Sequence, residues 1–312
     1  MLLVLLVAAS LLALAAAACS GGDDDDPDPT ATGAPVATDV PQPTTGPAPT
    51  TSPDISGAEI AFDAASATIT LDGNSTDWDA IEGATVTLKQ FELPPGVTFS
   101  DLDWDEPNPV DPIDVVLKVA VDAENIHVLF EVPDDYDFDP ADHGLTASPN
   151  IMFMIDPEAG AHMGTADDDF TASLGMVDIW HWEIECGPGE LAGGGVPGDG
   201  NGACNLDDEF ATDPEEREDD GGGDIANAAA ETSLFGAWDH TGRAGGIGAD
   251  GNWIFEFSRP LQTGDPQDAQ FVSGGTALIA LAYFDADETT DGWTAEGHLQ
   301  SAGEGWIVVT LP

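Results

Sequence analysis

The sequence predicts an all-β chain, an antiparallel β-sandwich with a long Gly/Asp-rich loop excursion. Three observations predict it. Short runs of alternating apolar and polar residues recur from residue 57 to 312, no window sustains a 3.6-residue period, and Gly, Pro and Asp punctuate the intervals. Regular turn spacing of this kind suits a sandwich better than helices laid on a sheet.

The elements follow in order. Residues 1–19, "MLLVLLVAASLLALAAAAC", have the apolar core and small-residue ending of a secretory signal. The closing "AAAC" resembles a lipobox, so Cys19 is the expected lipid anchor, although no Lys or Arg precedes the run. Residues 20–56, rich in Asp, Pro, Thr and Gly, are too poor in apolar surface to fold and are expected to form a disordered tether. From 57 to 312 one domain is expected. Its strands are "ATITL" (67–71), "ATVTLKQF" (84–91), "IDVVLKVAV" (113–121), "NIHVLFEV" (125–132), "NIMFMI" (150–155), "GMVDIWHWEIE" (175–185), "NWIFEFS" (252–258), "TALIALAYF" (276–284) and "GWIVVTL" (305–311). The pair 113–132 reads as a hairpin across "DAEN". Residues 186–250, Gly-rich and acidic, read as an irregular insertion leaving the sandwich.

Charge excludes several functions. With 60 acidic against 5 basic residues the formal net charge is −55, which rules out an electrostatic nucleic-acid binder and leaves membrane contact to the lipid anchor alone. Acids spread this evenly between apolar runs fit a solvated surface adapted to high salt, where screening relieves self-repulsion. The expected location is the cell envelope, outside the cytoplasm.

Apart from Cys19, the cysteines are Cys186 and Cys204, which flank a glycine-rich loop. A disulfide between them fits an oxidising compartment; zinc is the alternative, but no histidine lies at metal-ligand spacing. No C-x-x-C-H occurs, so covalent c-type haem is excluded. Hydrolase, nucleotide and dinucleotide motifs are missing, and no catalytic acid pair stands out, so the chain reads as a binding or electron-transfer subunit and not an enzyme. The acidic stretches "DDDF" and "DADETTDG" offer oxygen ligands for calcium without the spacing of an EF-hand.

"DIWHWE" (178–183) is the densest aromatic cluster. Strand alternation puts Asp178, Trp180 and Trp182 on one face and Ile179, His181 and Glu183 on the other. Two indoles on one face can fill a core, line a flat cofactor or carry a sugar ring. His181, facing away, reads as a structural histidine.

Several segments carry a family resemblance. "ITLDGNSTDWDAI" is similar to the opening of family-nine carbohydrate-binding and DOMON-like sandwiches. "LKVAVDAENIHVLFEVPDD", "IMFMIDPEAGAHMG", "VDIWHWE", "WIFEFSRPLQTGD" and "EGHLQSAGEGWIVVTL" follow in the order of the ethylbenzene-dehydrogenase-related haem-binding domain, a group that includes γ-subunits of molybdenum enzymes related to dimethyl-sulfoxide reductase. The resemblance implies non-covalent haem b, held by a methionine and a lysine, and single-electron transfer to a redox partner or oxidoreductase subunits. Met163 matches the methionine, with Met152, Met154 and Met176 as competitors. No lysine occupies the second position; His298 stands there, either as a chemically suitable haem-iron ligand or as a solvated loop histidine. Trp180 and Trp182 would then border the haem, and Arg259, in "SRPL", would pair with a propionate, against a plain salt bridge to one of the many acids. The alternative is a carbohydrate-binding module with Trp180 and Trp182 as its platform. A third reading is a domain of the same fold that has lost its ligand.

Overall fold

The computed structural model describes residues 60–90, 110–139, 147–161, 175–184, 186–193, 206–211, 218–222, 233–284, 298–301 and 305–312. Cys19, the expected lipid anchor, the expected tether 20–56, Met163, Cys204 and both candidate calcium stretches lie outside these residues.

The chain is an antiparallel β-sandwich, and no α-helix occurs among the described residues. Its strands are β1 (Ala61–Asp63), β2 (Ala65–Ser66), β3 (Ala84–Gln90), β4 (Ile113–Val121), β5 (Asn125–Tyr136), β6 (Ser148–Met154), β7 (Val177–Trp182), β8 (Ala192–Gly193), β9 (Leu206–Ala211), β10 (Glu218–Gly222), β11 (Phe235–His240), β12 (Ala249–Pro260), β13 (Thr276–Phe284), β14 (His298–Gln300) and β15 (Ile307–Thr310). One sheet runs β10-β9-β7-β6-β13, with β15 and then β1 beyond it. The other runs β3-β4-β5-β12-β11-β8, with β2 beside β4. β14 pairs with both β13 and β3 and joins the sheets along one edge.

Alternation explains how each strand serves the core. On β12, Trp253, Phe255 and Phe257 face inward, while Ile254 joins a smaller cluster on the other face with Ile69, Trp78, Ile81, Ala120 and Leu129. The inward side chains of β5, Val128, Phe130 and Val132, meet those of β4 and β12 in the main cluster. Each such side chain contributes roughly 1.5–3 kcal/mol by leaving water. The predicted 113–132 hairpin is present, and β5 and β12 form a twelve-residue pairing from Asn125↔Pro260 to Tyr136↔Ala249.

Two strand assignments differ from the sequence expectation. Residues 67–71 form no strand; Ile69 instead packs on the outside of the second sheet, and Trp78 is pinned beneath it. Trp78 Nε1 donates to Glu256 Oε1 at 2.8 Å, and the backbone N–H groups of Asp72 and Gly73 donate to Glu256 Oε2 at 2.9 and 2.7 Å. Gly73 has φ 73°, and a Cβ there would stand 2.5 Å from the Trp238 carbonyl oxygen, so this turn requires glycine. Lys118 closes the same turn by donating to the Trp78 carbonyl at 2.9 Å.

Residues 186–250 are the second difference. They supply β8 to β11, of which β9 extends the first sheet beside β7 and β11 extends the second beside β12. The described strands of this segment belong to the sheets: Ala192, Leu206 and Trp238 join the core, and the acids of β9 meet His181 and Arg259.

Candidate functional site

β7 carries the aromatic cluster that the sequence singles out, and its register with β9 decides what each side chain can reach. Trp180 lies opposite Asp208 and His181 opposite Asp207. Asp178, Trp180, Trp182, Leu206 and Asp208 therefore face inward, while His181, Asp207 and Glu209 face outward.

The inner face is closed. Trp180 and Trp182 have no exposed surface and pack against Phe153, Phe255 and Phe257. They bind no external ring in this state, whether porphyrin or sugar; their role is core packing. Arg259 follows Phe257 in the inward row of β12 and is equally buried. Its guanidinium grips Asp178 with both terminal nitrogens, the Nη1 bond being 3.2 Å, and Nη1 also reaches Asp208 at 3.1 Å and Asp268 at 2.9 Å. It lies 5.0 Å from the centre of a Trp180 ring. The Ala269 amide adds a donor to Asp178 at 2.8 Å.

Three carboxylates around one guanidinium leave an excess of negative charge in a dry place. Burial pushes the Asp178 carboxyl above the usual carboxylate range, against the pull of Arg259. Burial alone would lower Arg259, but Asp178, Asp208 and Asp268 outweigh it and hold the guanidinium protonated. Arg259 occupies the centre of the three aspartates, so this set serves as an electrostatic clasp between the sheets, with no room left for a propionate.

The other expected residues divide differently. His298 opens β14, its backbone paired with Phe284. Met152 packs in a small cluster on the outer face of the first sheet with Val177 and Ile179, and Met154 packs against it. The Met176 amide donates to Asp156 at 2.9 Å at the entry to β7. Cys186 is buried, and its carbonyl accepts from Trp238 Nε1 at 3.1 Å.

Outward-facing His181 is also buried. Its Nε2 stands 3.0 Å from Ser148 Oγ, and its Nδ1 stands 3.2 Å from Glu209 Oε1 and 3.8 Å from Asp207 Oδ2. Sequence reasoning missed Asp207 and Glu209. The signal was there: "LDDEFA" alternates two acids on one face about a third on the other, but lies inside a stretch that looked irregular.

No protein-family model and no curated protein matches this chain. Among solved structures it is similar to a family 9 carbohydrate-binding module from Caldicellulosiruptor kristjanssonii in complex with glucose, at 10% identity and TM-score 0.36, over 81% of this chain and 95% of that one. The same organism's module with cellotriose gives 10% identity and TM-score 0.35, over 80% and 93%. A candidate carbohydrate-binding protein from Bacteroides uniformis gives 9% and 0.40, over 81% and 99%. Likeness at this level concerns the sandwich alone. The haem b and electron-transfer reading drawn from the resemblance to the ethylbenzene-dehydrogenase-related domain is overturned: the two tryptophans expected to border a haem are sealed in the core, and Arg259, expected at a propionate, is enclosed by aspartates, so the axial roles implied for Met163 and His298 fall with the cofactor.

Proposed function

We propose that the chain is a non-catalytic binding module displayed outside the cytoplasm, with carbohydrate as its ligand class. The observation that carries this reading is the adjacency of described residues at one sandwich edge. Gln90 pairs with Leu299, and Phe284 pairs with His298, so the residues leading into segments 91–109 and 285–297 are neighbours. The sequence puts Trp104 in the first segment and Trp293 in the second, each among Asp and Glu; both lie outside the described residues. Tryptophan and carboxylate are the side-chain types that take a polyol ring. Trp78, Trp180, Trp182, Trp238 and Trp253 are consumed by packing, which leaves any aromatic platform to tryptophans outside these positions.

The signal-like start, Cys19 and the 20–56 tether support display from a membrane through a lipid anchor. Incorporation of labelled fatty acid that is lost in Cys19→Ser tests that anchor. The ligand class is tested by affinity electrophoresis in gels containing soluble glucans, xylans and mannans. Retarded migration on at least one polysaccharide, lost in Trp104→Ala or Trp293→Ala, supports the reading. Folded protein that is retarded by none of them overturns it.

A further inference from the structure

We propose that His181, Asp207 and Glu209 form a divalent transition-metal site of zinc type on the outer face of β7 and β9. This site is independent of any carbohydrate platform. Its ligand atoms all lie within 4.8 Å of one another, and the three side chains are buried or half-buried.

The donor set is held by rigid elements. Asp207 stands directly opposite His181 in the β7–β9 ladder, and Glu209 is two residues along the same face. Both carboxylates converge on one ring nitrogen, Nδ1, at 3.2 and 3.8 Å. A tetrahedral ion with bonds of about 2.0–2.1 Å separates its ligand atoms by roughly 3.3 Å, so these spacings bracket what zinc needs.

Two carboxylates match the charge of a divalent ion, and an imidazole supplies the nitrogen donor that an ion of zinc type prefers. Ser148 Oγ, 3.0 Å from Nε2, can then accept the remaining ring N–H and fix the tautomer that presents Nδ1 to the metal. One imidazole and two carboxylates suit zinc, cobalt or manganese, whereas calcium and magnesium take oxygen ligands. A chain of net charge −55 also concentrates divalent cations around itself.

The test uses the whole protein, stripped with chelator and kept folded in high salt. One equivalent of Co2+ should give visible d–d absorption that one equivalent of Zn2+ removes and an equal amount of Ca2+ does not. His181→Gln, and separately Asp207→Asn with Glu209→Gln, should weaken binding by at least about tenfold, since even outer-shell partners carry effects of that size. Glu209→Gln alone, which preserves size and an acceptor for His181, serves if His181→Gln does not fold. Absence of a saturable cobalt spectrum in folded wild-type protein overturns the site. So does an unchanged affinity in the folded variants, which would put the metal at other histidines such as His127 or His240.

Discussion

Asp178 on β7 and Arg259 on β12 clasp the two sheets from inside the core, the guanidinium meeting both carboxylate oxygens with neither side chain exposed to solvent. An ion pair in this position costs desolvation on both sides, so its presence is a weak argument for net stability, but its disruption is severe. Removing the cation leaves Asp178, Asp208 and Asp268 facing one another without water. Arg259→Met is expected to cost about 3–5 kcal/mol, read as a lower urea midpoint at unchanged slope. A loss under about 1 kcal/mol would show that the carboxylates simply take up protons and that the clasp does little.

The clasp also sets a pH dependence. Asp178 and Glu256 both have carboxyls raised by burial, so the folded state holds protons that the unfolded chain releases near its ordinary carboxylate values. Stability from these groups is fully present below about pH 4 and is lost as pH rises through their folded values. Urea midpoints at high salt should therefore fall as pH rises above about 4. Asp178→Asn, which carries no titrating proton, should flatten that slope; an equally steep slope would assign it elsewhere.

Much of the sandwich was legible because burial imposes a period of two. The β4–β5 hairpin, β6, β7, β12, β13 and β15 all sit within a few residues of their sequence ranges. The same signal misled at 67–71. Ile69 alternates because one side of the segment packs on Trp78, Ile81 and Leu129, and packing without pairing leaves the same pattern as a strand. β9 was hidden for the opposite reason. Asp208 turns inward to Arg259, and Asp207 and Glu209 turn outward to His181, so a paired strand has the composition of a solvated loop. Arg259 itself was readable from its place in the row Trp253, Phe255, Phe257, which predicts an inward side chain. The salt bridge to nearby acids, the alternative to a propionate, is what this register forms.

Glu256 offers a test of the turn that precedes β3. Its two oxygens accept three N–H donors, from Asp72, Gly73 and Trp78. In Glu256→Gln, either orientation of the amide points an NH2 group at a donor. The expected cost is about 1–3 kcal/mol, the range for a buried polar group left unsatisfied. Amide hydrogen exchange should accelerate at Asp72 and Gly73 while β4 and β5 stay protected. Uniform acceleration across the sandwich would mean the turn is no separate unit.

Trp182 separates a core role from a ligand role. It is fully buried against Phe255 and Phe257, and its ring lies 2.8 Å from where a Gly236 side chain would begin. Trp182→Ala should cost about 3–5 kcal/mol through lost burial and an unfilled cavity. Among variants that remain folded, polysaccharide retardation should be unchanged by Trp182→Phe. Selective loss of retardation at wild-type stability would return this strand to the binding surface.

Surface charge should respond to salt and buried charge should not. With 60 acids and 5 basic residues, surface repulsion opposes the compact state, and raising ionic strength from 0.1 to 1 M shortens the screening length from about 10 to about 3 Å. Each kcal/mol that screening recovers should raise the wild-type Tm by roughly 2–4 °C for a domain of this size. The clasp lies out of reach of mobile ions, so the penalty of Arg259→Met should remain the same at both salt concentrations. A penalty that shrinks with salt would mean that water and ions enter between the sheets, and that the carboxylates around Arg259 face an accessible cavity.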